Sequence, residues 1–130
     1  VAIAESKESE CSYYSNLLRV KLFAGGKEYE YAGTITELGE IHIVNINGFR
    51  IDFKPSHYMV VAENLNAPGQ IGKMGTCLGR NKVNIGNMQV SPSDGQKAMM
   101  VLTVDSPLDE QVLQDMSSLE GFFRVRFVQL

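Results

Sequence analysis

The chain has 130 residues and a formal net charge of −3, which suits one domain or one small domain preceded by part of another. This charge balance offers no basic patch for nucleic acid. No apolar run approaches the roughly 20 residues that a membrane-spanning helix needs. The two cysteines, Cys11 and Cys77, lie far apart and outside any CxxC pattern, which predicts free thiols in a cytoplasmic protein. A first residue other than Met suggests part of a longer chain.

The first 56 residues divide into a polar segment and a run of strands. Residues 1–16 are rich in Glu, Lys and Ser and predict a flexible tail, because they offer no apolar face to bury. Residues 17–56 alternate apolar and polar side chains, which predicts an antiparallel meander with a hairpin turn at Asn47-Gly48. This meander has one apolar face and little to cover it. It therefore predicts the remnant of a larger domain, or a surface that packs on a partner.

Residues 57–130 follow a different order of elements: strand, helix, strand, strand, helix, strand. The predicted strands cover residues 57–63, 83–90, 97–104 and a last run around Phe123; the helices open near Pro68 and at 105–107. Right-handed crossovers make this order a ferredoxin-like α+β sandwich, with two helices on one face of an antiparallel sheet and strand order 4-1-3-2. Strand 83–90 then lies at an edge, where we expect it to pair with a second copy of the chain.

Catalytic patterns are hard to find. His42 and His57 lie in predicted strands with no acid–nucleophile pattern beside them, so a structural or surface role is favoured over catalysis or metal binding. Cys77 lies beside the apolar stripe of the first helix and is expected to be inert. Glycines recur in and just before that helix at spacings of three and four, which predicts close backbone packing rather than a dinucleotide-binding loop; they are Gly69, Gly72, Gly75 and Gly79.

The loop between the first strand and the first helix of this region is the candidate binding site. A helix N-terminus favours a carboxylate, and the amides of Asn64 and Asn66 offer both donors and acceptors. Asn84, at the start of the edge strand, could reach the same loop across a dimer interface. Such a site suits a small zwitterion. The spacing also fits a purely local role, in which Asn64 and Asn66 stabilise the turn.

The segment that follows this loop resembles the ACT domain that ends D-3-phosphoglycerate dehydrogenases. The resemblance rests on residues 68–76 (PGQIGKMGT), followed by Leu78-Gly79, and on Val-Asn-Ile and Met-Gln-Val within residues 83–90. The Ile-Gly-x-x-Gly-Thr helix with its following strand is sharper than general ACT patterning. The resemblance therefore implies an ACT domain over residues 57–130.

The upstream residues resemble the same family. Gly33-Thr34 and residues 43–52 (IVNINGFRID) look like the end of the intervening, allosteric substrate-binding domain of these dehydrogenases. Residues 17–56 would then be a partial intervening domain. The likeness covers nearly the whole chain.

The resemblance implies feedback regulation by L-serine. Family members oxidise 3-phosphoglycerate with NAD at the first committed step of serine synthesis, and many bind L-serine between two ACT domains. Some carry His where this chain has Asn64. The resemblance implies a homo-oligomer, with no catalytic residue and no cofactor in this region and NAD bound elsewhere in the whole enzyme. By position, the serine-binding residues are Asn64, Asn66, Pro68, Gly69, Asn84 and Ile85.

Two other interpretations remain open at the level of sequence. The β subunit of iron–sulfur L-serine dehydratase carries a similar pair of domains, although the clustered glycines expected there are missing from this chain. Alternatively, the ACT domain serves only for oligomerisation, since some dehydrogenases of this type are not inhibited by serine.

Overall fold

A computed structural model describes residues 2–8, 14–92 and 95–130. The chain divides into two compact units, Val1–Pro55 and Ser56–Leu130, which are described separately. Over these described ranges, no helix is long and apolar enough to cross a membrane.

The first unit is a five-stranded antiparallel sheet in which every strand pairs with its neighbour in sequence. Two turns join its strands tightly. Asn47 and Gly48 have φ values of 52° and 86°, as the Asn-Gly pair predicts for a two-residue hairpin. Gly25 and Gly26 also have positive φ values. The strands are β1 (Ala2–Glu8), β2 (Leu17–Ala24), β3 (Lys27–Ile35), β4 (Ile41–Ile46) and β5 (Phe49–Phe53).

Strand β1 corrects the prediction of a flexible tail over residues 1–16. Residues 2–8 pair antiparallel with β2 in a continuous register from Ala2 opposite Phe23 to Glu8 opposite Leu17. Side-chain composition did not predict this strand, because its backbone groups pair with β2 while its described side chains stay exposed. The rest of the predicted tail up to residue 13, with Cys11, lies outside the described residues.

The two faces of this sheet differ in chemistry. One face carries ion pairs, Arg19 with Glu30 and Lys21 with Glu28 at 3.4 Å, beside a small buried cluster of Leu17, Ala32 and Val44. The opposite face forms an open apolar groove lined by Leu18, Val20, Tyr31, Ile35, Ile41 and Ile43. Four of these side chains are 38–59% exposed. The described residues thus leave this apolar face largely uncovered, in agreement with the sequence pattern.

The second unit is a four-stranded antiparallel sheet with two helices. Its strands lie in the order β7-β8-β6-β9, which is the predicted order 4-1-3-2 counted from the other edge. The ferredoxin-like α+β prediction is therefore confirmed, and β7 lies at an edge. The elements are β6 (Tyr58–Leu65), α1 (Gln70–Arg80), β7 (Ile85–Pro92), β8 (Lys97–Val104), α2 (Glu110–Ser117) and β9 (Phe122–Gln129).

The core of this unit lies between the helices and one face of the sheet. Met74 and Leu78 of α1 and Met116 of α2 have no exposed surface. They belong to one apolar cluster with Val60 of β6 and with residues of β8 and β9. Burying a side chain of this size contributes about 1.5–3 kcal/mol relative to leaving it in water, so this cluster fixes both helices on the sheet.

Helix α2 begins later than its sequence pattern predicts. The predicted start at residues 105–107 is wrong, because Asp109 caps the helix by accepting a hydrogen bond from the Val112 N–H at 3.0 Å. Leu108 and Leu119 lie just outside this helix, and both pack on the core.

The glycines of α1 do not pack as predicted. A Cβ atom added at Gly72, Gly75 or Gly79 would meet nothing within 4 Å outside the helix's own backbone and adjacent residues, and the same holds at Gly69. Close backbone packing on this face is therefore absent among the described residues. The recurring glycines reflect a helix face that turns away from the core.

A pH-dependent cluster lies in the first unit. His42 Nδ1 is 2.6 Å from Asp52 Oδ1 and His42 Nε2 is 3.4 Å from Glu40 Oε2, while Lys54 Nζ is 3.4 Å from Glu40 Oε1. The hydrogen bond to Asp52, followed by that to Glu40, raises the pKa of His42 above its usual 6.5. The bonds from His42 and Lys54 lower the pKa of Glu40 below its usual 4.5.

These opposite pKa shifts predict the pH range in which the contacts of His42 and Glu40 stabilise the fold. The contribution of charged His42 is complete below pH 6.5 and is lost as the pH rises through its raised pKa. The contribution of Glu40 is complete above pH 4.5 and is lost as the pH falls through its lowered pKa. We expect NMR titration to place the pKa of His42 above 6.5, and Asp52→Asn to lower it. Glu37→Gln is the control; an unchanged His42 pKa in Asp52→Asn would contradict the assignment.

Candidate functional site

Helix α1 begins without a side-chain cap. Gly69 is its N-cap in a left-handed conformation, with φ 89°, and the first turn contains no acidic residue. The N–H of Lys73 bonds to the Gly69 carbonyl at 3.0 Å, which leaves the N–H groups of residues 70–72 without partners inside the helix. These donors and the positive end of the helix dipole favour an anionic group such as a carboxylate.

The loop before the helix lies open to solvent. Residues 65–69 are all exposed, and these include the predicted site residues Asn66, Pro68 and Gly69. The Asn66 N–H donates to the Gln96 carbonyl at 2.7 Å, so this loop is tied to the start of β8. The predicted helix start near Pro68 falls in this turn, two residues before Gln70.

Asn64 does not lie in the loop, which corrects the sequence interpretation. Strand β6 continues to Leu65, with Asn64 paired with Ala98 on one side and Phe122 on the other. The Asn64 side chain is buried, its Nδ2 donates to the Leu65 carbonyl at 2.8 Å, and its Oδ1 has no hydrogen-bond partner. A buried acceptor left unpaired in this way costs about 1–3 kcal/mol.

Gln70, the first residue of α1, is a second buried amide, and it was not among the predicted site residues. It is 6% exposed, and its Oε1 has no hydrogen-bond partner. A signal was available in the sequence, since Gln70 precedes Met74 by four residues and Leu78 by eight, which puts it in the apolar stripe of α1. A polar residue in such a stripe indicates a buried polar group that needs an explanation.

Within one chain, Asn84 and Ile85 lie far from these residues. Ile85 pairs with Val104, whereas Asn64 pairs with Ala98 at the other end of β8. That separation of six residues corresponds to about 20 Å along an extended strand. Asn84 is exposed, and its Nδ2 donates to Asp105 Oδ2 at 2.6 Å. One chain therefore brings together Asn64, Asn66, Pro68 and Gly69 but not Asn84 and Ile85.

The rest of the unit offers little for catalysis. No group of three His, Cys, Asp or Glu side chains within residues 2–8, 14–92 and 95–130 could hold a metal ion. Cys77 is buried, and burial followed by the nearby Asp115 raises the pKa of its thiol, which keeps it protonated and unreactive at neutral pH. The arrangement at the α1 N-terminus is instead suited to binding: backbone donors for an anion beside amide acceptors for a cation or hydroxyl.

The second unit is thus a ferredoxin-like α+β domain whose first helix begins without a side-chain cap. The chain is similar over its full length to D-3-phosphoglycerate dehydrogenases. The enzyme of Archaeoglobus fulgidus is 35% identical over 133 residues, covering 100% of this chain and 25% of the relative. That of Bacillus subtilis is 32% identical over 132 residues, again covering 100% and 25%. The resemblance inferred from residues 68–90 is confirmed.

The chain covers different shares of the two kinds of relative that it matches. It spans about a quarter of the length of the curated dehydrogenases that it matches, which is consistent with the predicted resemblance to their C-terminal region. A probable L-serine dehydratase β chain of Bacillus subtilis is 26% identical over 134 residues, covering 96% of this chain and 61% of that protein. No family model matches the chain.

Gly121 tests the packing around Gln70. Its φ is +89°, and an added Cβ would lie 2.9 Å from Gln70 Oε1 and 3.0 Å from Nε2. We expect Gly121→Ala to lower the free energy of unfolding by at least about 1–2 kcal/mol, because the left-handed conformation alone costs Ala that amount. Urea denaturation measures the change. Gly69→Ala is the matched control, because Gly69 has the same φ of +89° and nothing lies within 4 Å of an added Cβ, so Gly121→Ala should lose more stability than Gly69→Ala. Equal stability of Gly121→Ala and wild type would contradict this packing.

Proposed function

We propose that this chain is a regulatory region of a D-3-phosphoglycerate dehydrogenase that binds L-serine, or a related small amino acid, for feedback control. The observation that carries the proposal is the uncapped N-terminus of α1 beside the unpartnered amide oxygen of Asn64. The similarity to dehydrogenases of this name supports the choice of enzyme.

Each part of a zwitterion has a matching group at this site. The carboxylate suits the N–H groups of residues 70–72, where the absence of an acidic residue in the first turn leaves no competing anion. The ammonium needs acceptors, and Asn64 Oδ1 is one that is otherwise unsatisfied. Neither role needs a charged side chain, which agrees with the amides found in this segment.

A second copy of the chain supplies the remaining predicted residues. If two β7 strands pair antiparallel, the start of the partner's strand lies beside the end of the first one. In the first chain, the end of β7 at Pro92 pairs with Ala98 of β8, and Ala98 in turn pairs with Asn64 of β6. The partner's Asn84 and Ile85 would therefore come to the end of the sheet that holds the α1 N-terminus. In this proposal the ligand stabilises the dimer, because both chains contact it.

The activity of the whole enzyme follows as part of the same proposal. We assign NAD-dependent oxidation of 3-phosphoglycerate, at the start of serine synthesis, to an enzyme four times as long as this chain, on the basis of relatives of which it covers 25%. NAD and the catalytic groups would lie in the rest of that enzyme. This region would bind serine and thereby change the activity of the enzyme.

The match to the dehydratase β chain supports a second candidate function. The chain covers 61% of that protein, a larger share than of the dehydrogenases, although the identity is 26% against 35%. Activity of the full-length protein separates the two candidates: NADH formation from 3-phosphoglycerate supports the first, and pyruvate formation from L-serine supports the second. Unchanged dehydrogenase activity at millimolar L-serine would leave oligomerisation as the role of this region.

Calorimetric titration with L-serine tests the proposed site. We expect saturable binding by the wild type and a loss of about tenfold or more in affinity in Asn66→Ala and Asn84→Ala, since hydrogen bonds to charged groups contribute about 1.5–3 kcal/mol each. Gln114→Ala removes an exposed amide from α2 and serves as the control. The absence of heat at millimolar serine would contradict the proposal, and full binding by both variants would relocate the site.

The edge strand tests the proposed dimer. Successive backbone N–H groups of a strand point to opposite sides, so one of Gln89 and Val90 donates towards β8 and the other towards the open edge. We expect the wild type to sediment as a dimer and one of Gln89→Pro and Val90→Pro to sediment as a folded monomer. The other variant should lose stability, as circular dichroism would show. A monomeric wild type, or two dimeric variants, would contradict this interface.

A further inference from the structure

The two unpartnered amide oxygens, Asn64 Oδ1 and Gln70 Oε1, lie at the same end of the helix–sheet interface. Asn64 shares the face of β6 that carries Val60 and Ala62, which pack in the core under the helices. Gln70 shares the stripe of α1 that carries Met74. Both side chains are more than nine-tenths buried, at 2% and 6% exposure.

Gly121 connects the two amides. The position of its missing Cβ lies 2.9–3.2 Å from three atoms of the Gln70 carboxamide. Its carbonyl accepts the Leu65 N–H at 2.8 Å, and the next residue, Phe122, pairs with Asn64. A side chain at residue 121 would fill the space that the Gln70 amide occupies. The carboxamide of Gln70 therefore lies against the backbone that borders Asn64.

We infer that Gln70 is a specificity-determining residue, whose Oε1 accepts a hydrogen bond from a donor on the side chain of the bound amino acid. This inference rests on the proposed amino-acid site. It makes the ligand class a small amino acid with a hydroxyl or amide side chain, rather than an aliphatic one such as alanine. A carboxylate at the N–H groups of residues 70–72 places the ligand beside Gln70, whose side chain extends from there into the interior.

The surroundings of Gln70 favour a neutral donor over a second charge. Gln70 is 6% exposed and lies against the backbone at Gly121, where an unpaired ion would be costly. Residues 65–69, which separate Asn64 from Gln70 in the chain, are exposed, so a ligand at the helix N-terminus would approach the two amides from this side. A site that hydrogen-bonds a buried hydroxyl rejects the analogue that lacks it, because its own acceptor then stays unpaired.

Titration of the 130-residue chain with L-serine and with L-alanine tests this inference. We expect the wild type to prefer serine by about tenfold or more. Gln70→Met keeps the length of the side chain and removes the acceptor. This variant should lose most of that preference through weaker serine binding, with the affinity for alanine nearly unchanged.

The outcomes separate this inference from the proposed function. If the wild type binds neither amino acid, both are overturned. If it binds serine and Gln70→Met keeps the preference over alanine, the role of Gln70 is overturned and the proposed site stands. Thermal unfolding without ligand provides an independent measurement, in which Gln70→Met should be at least as stable as the wild type because an unpaired acceptor is gone. A destabilised Gln70→Met that keeps the preference would assign Gln70 a structural role.

Discussion

The packing of two short helices on one face of β6 and β8 is the constraint on which the second unit depends. Met74, Leu78 and Met116 fill the space against residues such as Val60 and Leu102, all of them without exposed surface. A helix of 11 residues is marginally stable by itself in water, so α1 owes its position to this contact. The contact therefore determines where the free N–H groups of the helix point.

Two buried polar side chains interrupt this packing where α1 meets the end of β6. Among the described residues, the buried side-chain atoms without a partner are Asn64 Oδ1 and Gln70 Oε1, and both lie where α1 meets the end of β6. Apolar residues of similar size would stabilise the fold more there, since unpaired buried acceptors are costly. Departures of this kind from good packing are found mainly at functional sites. The two unpaired acceptors lie at the candidate site that was inferred from the helix N-terminus.

Much of the fold was predictable because burial leaves a periodic trace in the sequence. The succession of strand and helix patterns over residues 57–130 predicted the order of the four strands. The first helix was predicted from its apolar spacing, in which Met74 and Leu78 are buried. Strand β1 was not predictable, because its stability comes from backbone pairing with β2 rather than from its own side chains. For the candidate site, the residue types of the loop and of Asn64 were a signal in the sequence, although Asn64 lies in β6. Gln70 gave no signal by residue type, because glutamine usually lies on the surface.

The apolar groove of the first unit affects how readily the strands of this unit open locally. A sheet face on which Leu18, Tyr31 and Ile41 remain 38–59% exposed gains less from burial than a sheet face covered by helices. Its amide protons should therefore exchange with deuterium sooner than those of β6 and β8, through local opening of β1 to β5. Anything that covers the groove, whether another part of a longer protein or a separate subunit, would slow that exchange.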